Sequence, residues 1–225
     1  MLMRVLTTIL LTSVLLMSGC ATRTKMAFSE DSDKEIKTNN PIFLMTSTMQ
    51  NNYKTSFQPR LIAVNVERAV VKDSADRINF VMDDKAKNET KANSQLLRME
   101  LEKGEYVIRG LSGMASIFPF NCMFFAPMHS TLRSSEPGVF YLGHVEAIVR
   151  ERKEGEFKAG PSIPVIDQAV AGASTGTFDI EISDQWDKDE PQFRAKFPAL
   201  KGAVIQKAIL PPFDRKAAQT WWETN

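Results

Sequence analysis

Cysteine and histidine are scarce: the chain of 225 residues has 2 of each. Its histidines, His129 and His144, form no His-x-His or His-Glu-x-x-His spacing, so a zinc site lacks ligands. No metal and no cofactor are expected. An excess of charge is also missing, with 28 Lys+Arg against 27 Asp+Glu. Nucleic-acid binding and purely electrostatic membrane binding both need a concentrated positive excess, and neither is indicated. A long apolar run is absent too. The stretch from Val5 to Met17 is broken by Thr7, Thr8, Thr12 and Ser13, and it stops short of the roughly 18 residues that a membrane span needs. Long amphipathic helices between strands are missing, which argues against a parallel α/β sheet.

What the N-terminus has is a charged start, Met1-Leu2-Met3-Arg4, the short apolar stretch, and then Leu16-Met17-Ser18-Gly19-Cys20. This order is that of a signal peptide. The junction resembles the lipobox of bacterial lipoprotein precursors, with cleavage between Gly19 and Cys20; Met17 stands where the family usually has Leu. The resemblance implies a diacylglyceryl group on Cys20, often with a further acyl chain. Each buried methylene contributes about 0.8 kcal/mol, so two or more chains anchor stably where one does not. Ala21 lacks the aspartate associated with inner-membrane retention. In a Gram-negative cell the expected address is the outer membrane, facing the periplasm.

Four segments are expected: a signal peptide over 1–19, a lipidated cysteine and disordered tether over 20–40, a β-sandwich over 41–213, and a C-terminal tail or short helix over 214–225. The tether follows from the polar run Ser29-Glu30-Asp31-Ser32-Asp33-Lys34-Glu35, which offers little to bury. From Pro41 the apolar period is near two. Ile62, Val64 and Val66, then Ile78, Phe80 and Met82, then Leu97, Met99 and Leu101, and later Phe178, Ile180 and Ile182, each mark a half-buried strand. Further runs cover 106–111, 139–149 and 203–210. Roughly six to nine strands with polar connections predict a mainly β, antiparallel Greek-key sandwich. One short helix is expected after Trp186, with Asp187 and Glu190 spaced as a capping box and Phe193 and Phe197 on one face. Asp214 could cap another through Trp221-Trp222, whose rings would diverge by about 100 degrees.

Leu101-Glu102-Lys103-Gly104-Glu105-Tyr106 suits a tight turn followed by either a tyrosine corner or a plain hairpin with a core tyrosine. Here, and at Gly138-Val139-Phe140-Tyr141-Leu142-Gly143, the sequence resembles prealbumin-like (transthyretin-like) sandwich modules of uncharacterised bacterial lipoproteins. The resemblance spans about residues 95–183. It implies fold and compartment, and brings no catalytic residues.

Candidate chemistry is sparse. Gly172-Ala173-Ser174-Thr175-Gly176 spells a nucleophile elbow, but a strand pattern follows it where a helix is required, and both histidines precede Ser174. Asp184, Asp187, Asp189 and Glu190 lack the glycine and distal glutamate of an EF-hand and read as a helix cap with solvated carboxylates. Asn88-Glu89-Thr90 spells a glycosylation sequon, of little weight in a bacterial lipoprotein. With Cys20 committed to lipid, Cys122 has no second cysteine for an intrachain disulfide, and its apolar neighbours predict burial. Phe118, Phe120, Met123, Phe124 and Phe125 form the most apolar stretch, either a buried strand or a surface for a partner or apolar ligand. The functional expectation is a non-catalytic, membrane-anchored sandwich that binds or scaffolds envelope components. The alternatives are an envelope serine hydrolase using Ser174 and a carrier of a small apolar ligand.

Overall fold

A computed structural model describes residues 21–82, 94–118, 120–161 and 169–224. The expected signal segment with Gly19 and Cys20, and the Asn88 sequon, lie outside the described residues, as does the side chain of Phe120. Among the described residues ten strands form two sheets. The first orders β1 (Thr22–Thr24), β4 (Arg77–Val81), β3 (Arg60–Arg68), β6 (Gly104–Ile117) and β7 (Phe120–Ser134) as β1-β4-β3-β6-β7. In the second, β5 (Ser94–Glu100) pairs with β2 (Pro41–Asn51), and β2 with β8 (Gly138–Glu151). The far side of β8 is shared, because β10 (Ile205–Lys207) pairs with Val139–Tyr141 and β9 (Gly176–Ser183) with His144–Glu151.

The mainly β architecture agrees with the alternating apolar pattern. Three pairings, β2–β8, β8–β10 and β1–β4, are parallel, so the all-antiparallel expectation is corrected to mixed sheets. The reason is physical: a two-residue period shows which face is buried, not which way a distant partner strand runs. Alternate residues of the two sheets meet in one core that includes Met45, Met49, Val64, Phe80, Leu97, Leu111, Phe124, Leu142 and Val145.

Among the described residues there are two α-helices. The first, α1 (Trp186–Lys196), covers the outer face of the second sheet, and Phe193, Phe197 and Leu200 form a second core with Ile42, Leu44, Val139 and Tyr141. The expected capping box is absent. Asp184 accepts the backbone N–H of Trp186, while Glu190 pairs with Arg194. The second helix, α2 (Arg215–Thr224), begins beyond Asp214, whose carboxylate accepts the N–H of Ala217. It packs along the edge strand β7: Ala218 is buried, and Trp221 lies against Phe125 and His129, with centroids 5.9 and 4.7 Å away. Trp222 points outward. Arg215 ties the helix to Glu156 at 3.0 Å and to the Phe178 carbonyl at 2.7 Å.

The tether expectation is overturned. Residues 21–24 hold β1, paired with Ile78–Phe80, and the chain then crosses to the edge strand of the other sheet, where the Ala27 N–H donates to the Arg98 carbonyl. Met26 is buried in the main core, Phe28 meets Phe197 edge-on at 5.6 Å, and Glu30 pairs with Lys196. Arg98, 3% exposed, donates to the Phe28 and Leu96 carbonyls and lies 4.1 Å over the Phe197 ring. A few apolar side chains in a polar segment are enough, because the edges of both sheets offer unpaired backbone groups to the strap.

Neither the tyrosine corner nor the plain hairpin is found at Gly104: β5 and β6 lie in different sheets, so the turn between them crosses from one sheet to the other. Gly104 turns with φ 155°, and the Tyr106 hydroxyl is buried without a hydrogen-bond partner, under an Arg68 guanidinium 5.1 Å from the ring centre. Cys122 is buried at 1% exposure, as its apolar neighbours predict.

The strap is expected to stabilise the fold. Met26→Ala should cost about 2–5 kcal/mol in chemical denaturation, and a chain starting at Pro41 should melt well below the chain starting at Ala21. Coincident melting curves would show residues 21–40 to be a passive tether.

Candidate functional site

The polar cluster with the most buried chemistry lies under α1. Gly143, with φ 113°, makes a bulge in β8: Leu44 pairs with Tyr141 and Thr46 with His144, so three steps along β8 match two along β2. The extra residue turns Tyr141 and His144 onto the same outer face, which an unbroken strand would not do. A side chain at Gly143 would also meet the Ser183 carbonyl at 3.0 Å. Asp189 reaches down from α1 to both groups. The Tyr141 hydroxyl donates to it at 2.6 Å, and His144 Nδ1 lies 3.2 Å from each carboxylate oxygen. On the other side of the ring, Nε2 is 3.3 Å from Thr48 Oγ1 and 3.8 Å from Glu146.

Asp189 is 1% exposed. Burial pushes its pKa up, but the hydrogen bonds from His144 and Tyr141 outweigh it and hold the carboxyl below its ordinary range. Burial, the bond to Asp189 and its charge raise the Tyr141 phenol. Asp189 thus acts as the charged acceptor of two donors from β8. Asp189, the His144 ring and Thr48 stand in the order of orienting acid, imidazole and hydroxyl used in hydrolytic relays. The described cavities lie elsewhere, so no substrate space adjoins Thr48 among them.

A second histidine sits under α2. His129 adopts φ 50°, a left-handed conformation uncommon outside glycine, where the β6–β7 register slips between Ile108 and Gly110. Its ring stacks on Trp221, and Nε2 is buried without a hydrogen-bond partner. Burial and the charge of Arg109, which itself lies 5.2 Å from the Trp221 ring centre, push its pKa down to about 4.

The sequence-level candidates do not assemble. Ser174 sits in the turn before β9, and β9 does follow it as a strand. Gly176 pairs with Glu151, seven residues along β8 from His144, or about 23 Å at the rise of a strand. Ala173 lies beside Gly160, itself against the Met123 carbonyl, and His129 is six residues further along β7, roughly 20 Å away. The four carboxylates near α1 do not converge either: Asp184 bonds Lys207, Glu190 bonds Arg194, and Asp189 is buried rather than solvated. The apolar stretch is divided by strand alternation. Phe124 is 1% exposed and meets Phe178 in the core, Met123 and Phe125 are half-buried on the outer face, and Phe118 is 99% exposed at the hairpin tip. As one common surface the stretch is therefore corrected to a core strand with an exposed tip.

The sequence reading passed over the Tyr141–His144–Asp189 cluster. Its available signal was Gly143, a lone glycine inside the strand run 139–149, where such a residue marks a bulge. Comparisons with protein families, with curated proteins and with solved structures find no match.

Two outcomes follow from this geometry. Asp189→Ala strands two buried donors and should cost about 2–5 kcal/mol in denaturant unfolding, while a loss near zero would show that solvent already serves them. For His129 the unfolded ring takes its proton near 6.5 and the folded ring only near 4. Acidification between those values therefore favours the unfolded chain, and this contribution levels off below pH 4. His129→Asn, which tolerates the left-handed backbone, should flatten the fall in melting temperature across that window; an unchanged slope would assign it to other groups.

Proposed function

We propose that the protein is a lipid-anchored lipoprotein of the bacterial envelope whose β-sandwich is a non-catalytic module for binding or scaffolding envelope components. The reading is carried by Ser18-Gly19-Cys20 at the end of a short apolar run with a charged start. The balanced charge is consistent with a protein recruited to its surface by covalent lipid rather than by electrostatic attraction. Phe118, almost fully exposed on a hairpin tip, is the described aromatic side chain best placed to meet a partner. The two facing sheets support the finer, prealbumin-like reading, while the parallel β2–β8 pairing and the crossover between sheets at Gly104, where a hairpin is expected, depart from it.

The hydrolase alternative draws no support from the distances around Ser174. The carrier alternative has one observation in its favour: a cavity of about 310 Å³ lined by Pro41, Phe43, Leu132, Phe140 and Leu210, with Arg133 at its margin. None of Phe118, Phe120, Met123, Phe124 and Phe125, the stretch expected to offer an apolar ligand surface, lines it.

Cys20→Ala is expected to abolish fatty-acid labelling and to shift the protein from the membrane fraction into unprocessed or released forms. A variant that still incorporates label and fractionates like the parent would sink the lipoprotein reading.

A further inference from the structure

We infer that one rim of the sandwich lies directly against the phospholipid surface, so that the domain is held upright rather than swinging on a tether. The inference rests on the lipoprotein reading and adds an orientation to it. Cys20 is joined to Ala21, and consecutive Cα atoms are about 3.8 Å apart. Strand β1 begins one residue later, at Thr22, already paired with Ile78. Between the acylated residue and the folded body there is no length of free chain to act as a leash. A flexible segment of about 20 residues would have allowed excursions of roughly 25 Å.

The residues beside that attachment point follow from the registers. Because β1 runs parallel to β4, Thr22 stands at the end where β4 starts and β3 finishes. Arg68 at the end of β3 pairs with Tyr106 near the start of β6, and Gly104 pairs with Ser134 at the end of β7. Pro41 and Gly138, the starts of β2 and β8, pair with each other, and Ile42 pairs with Glu100 at the end of β5. The loop after β3, the turn between β5 and β6 and the turn between β7 and β8 therefore share one rim with the anchor.

That rim displays Val70, 70% exposed, together with exposed Lys72, Asp73, Glu102, Lys103, Ser135, Glu136 and Pro137. Its charges are mixed, so electrostatic attraction does not hold it to the bilayer; the covalent anchor and an apolar tip at Val70 do. Phe118 lies at the other end of β6. The strand covers Gly104–Ile117, roughly 45 Å at the rise of a strand, so the hairpin tip stands far from the lipid.

The test uses full-length lipidated protein, extracted from its membranes and reconstituted into vesicles of phosphatidylethanolamine and phosphatidylglycerol carrying a headgroup-level quencher. In a Cys122→Ala background, Val70→Cys and Phe118→Cys each carry a fluorescent probe. Both native side chains are exposed, so neither change should disturb folding. The expected result is several-fold stronger quenching at position 70 than at 118, persisting in high salt. A flexible linker of about 20 residues inserted after Ala21 should bring the two values together. Equal quenching in the parent, or stronger quenching at 118, overturns the upright orientation while leaving the anchor intact. Absence of acyl label and of vesicle binding overturns the lipoprotein reading itself, and the inference falls with it.

Discussion

The bulge at Gly143 is the constraint on which the second half of the chain depends. Were β8 to alternate unbroken through Gly143, His144 would turn to the core face with Leu142 and Val145 would turn outward, and Asp189 would have one donor instead of two. With the bulge, Tyr141 and His144 meet one carboxylate, and that carboxylate can stay charged while buried. A buried charge with satisfied hydrogen bonds adds little net stability but disfavours other positions of the helix. The cluster thereby sets the placement of α1, and the apolar closure of Phe193 and Phe197 over Leu44 and Tyr141 follows. From α1 the chain leads to β10, which fills the part of the β8 edge that β9 leaves open, and then to α2 beside β7. Strand β10 thereby covers an edge that would otherwise invite pairing with another chain.

What was legible in the sequence was the half-buried strand. Val64 and Val66, Leu97 and Met99, and Phe178 and Ile180 lie on the faces their alternation indicates, because period-two patterning reports burial directly. Three things were not legible, each for a physical reason. Strand direction leaves no trace in alternation, so parallel β2–β8 looks like any other pair. Asp189 reads as a solvated helix carboxylate because its partners are 45 and 48 residues away. The strap over residues 21–40 carries too few apolar residues to signal order; its stability comes from sheet edges that no local window contains. The Phe118 to Phe125 stretch erred differently, since its composition was right and its division between two faces was not.

The two histidines show how one residue type is put to opposite uses by its surroundings. His144 stands beside a carboxylate and gains a hydrogen-bonded role; His129 is held between Arg109, Trp221 and the strand, and so favours the neutral ring. Each lies where an α-helix crosses an outer sheet face, and each follows a register irregularity, in β8 and in β6–β7. Local irregularity here serves docking: it turns a polar ring outward at the point where a helix must be received. Neither ring borders a described cavity, which sets the ligand question apart from the titratable groups.

The cavities gather at the other landmark of the fold. The described spaces lined by Thr22 and Tyr106, by Pro41 and Leu132, and by Gly138 and Val139 all open near strand ends on the rim beside Thr22. Sandwiches are closed along their faces by interdigitating side chains and are most easily opened where strands end, because loops pack less regularly than pleated faces. The opposite end is the protruding β6–β7 hairpin with Phe118 exposed. The molecule is polarised along its strands, with recessed surface at the end bearing the N-terminus and a projecting apolar tip at the other. A chain with balanced charge has no long-range field to orient it; under the proposed lipoprotein reading, attachment at Cys20, two residues before β1, would supply that orientation.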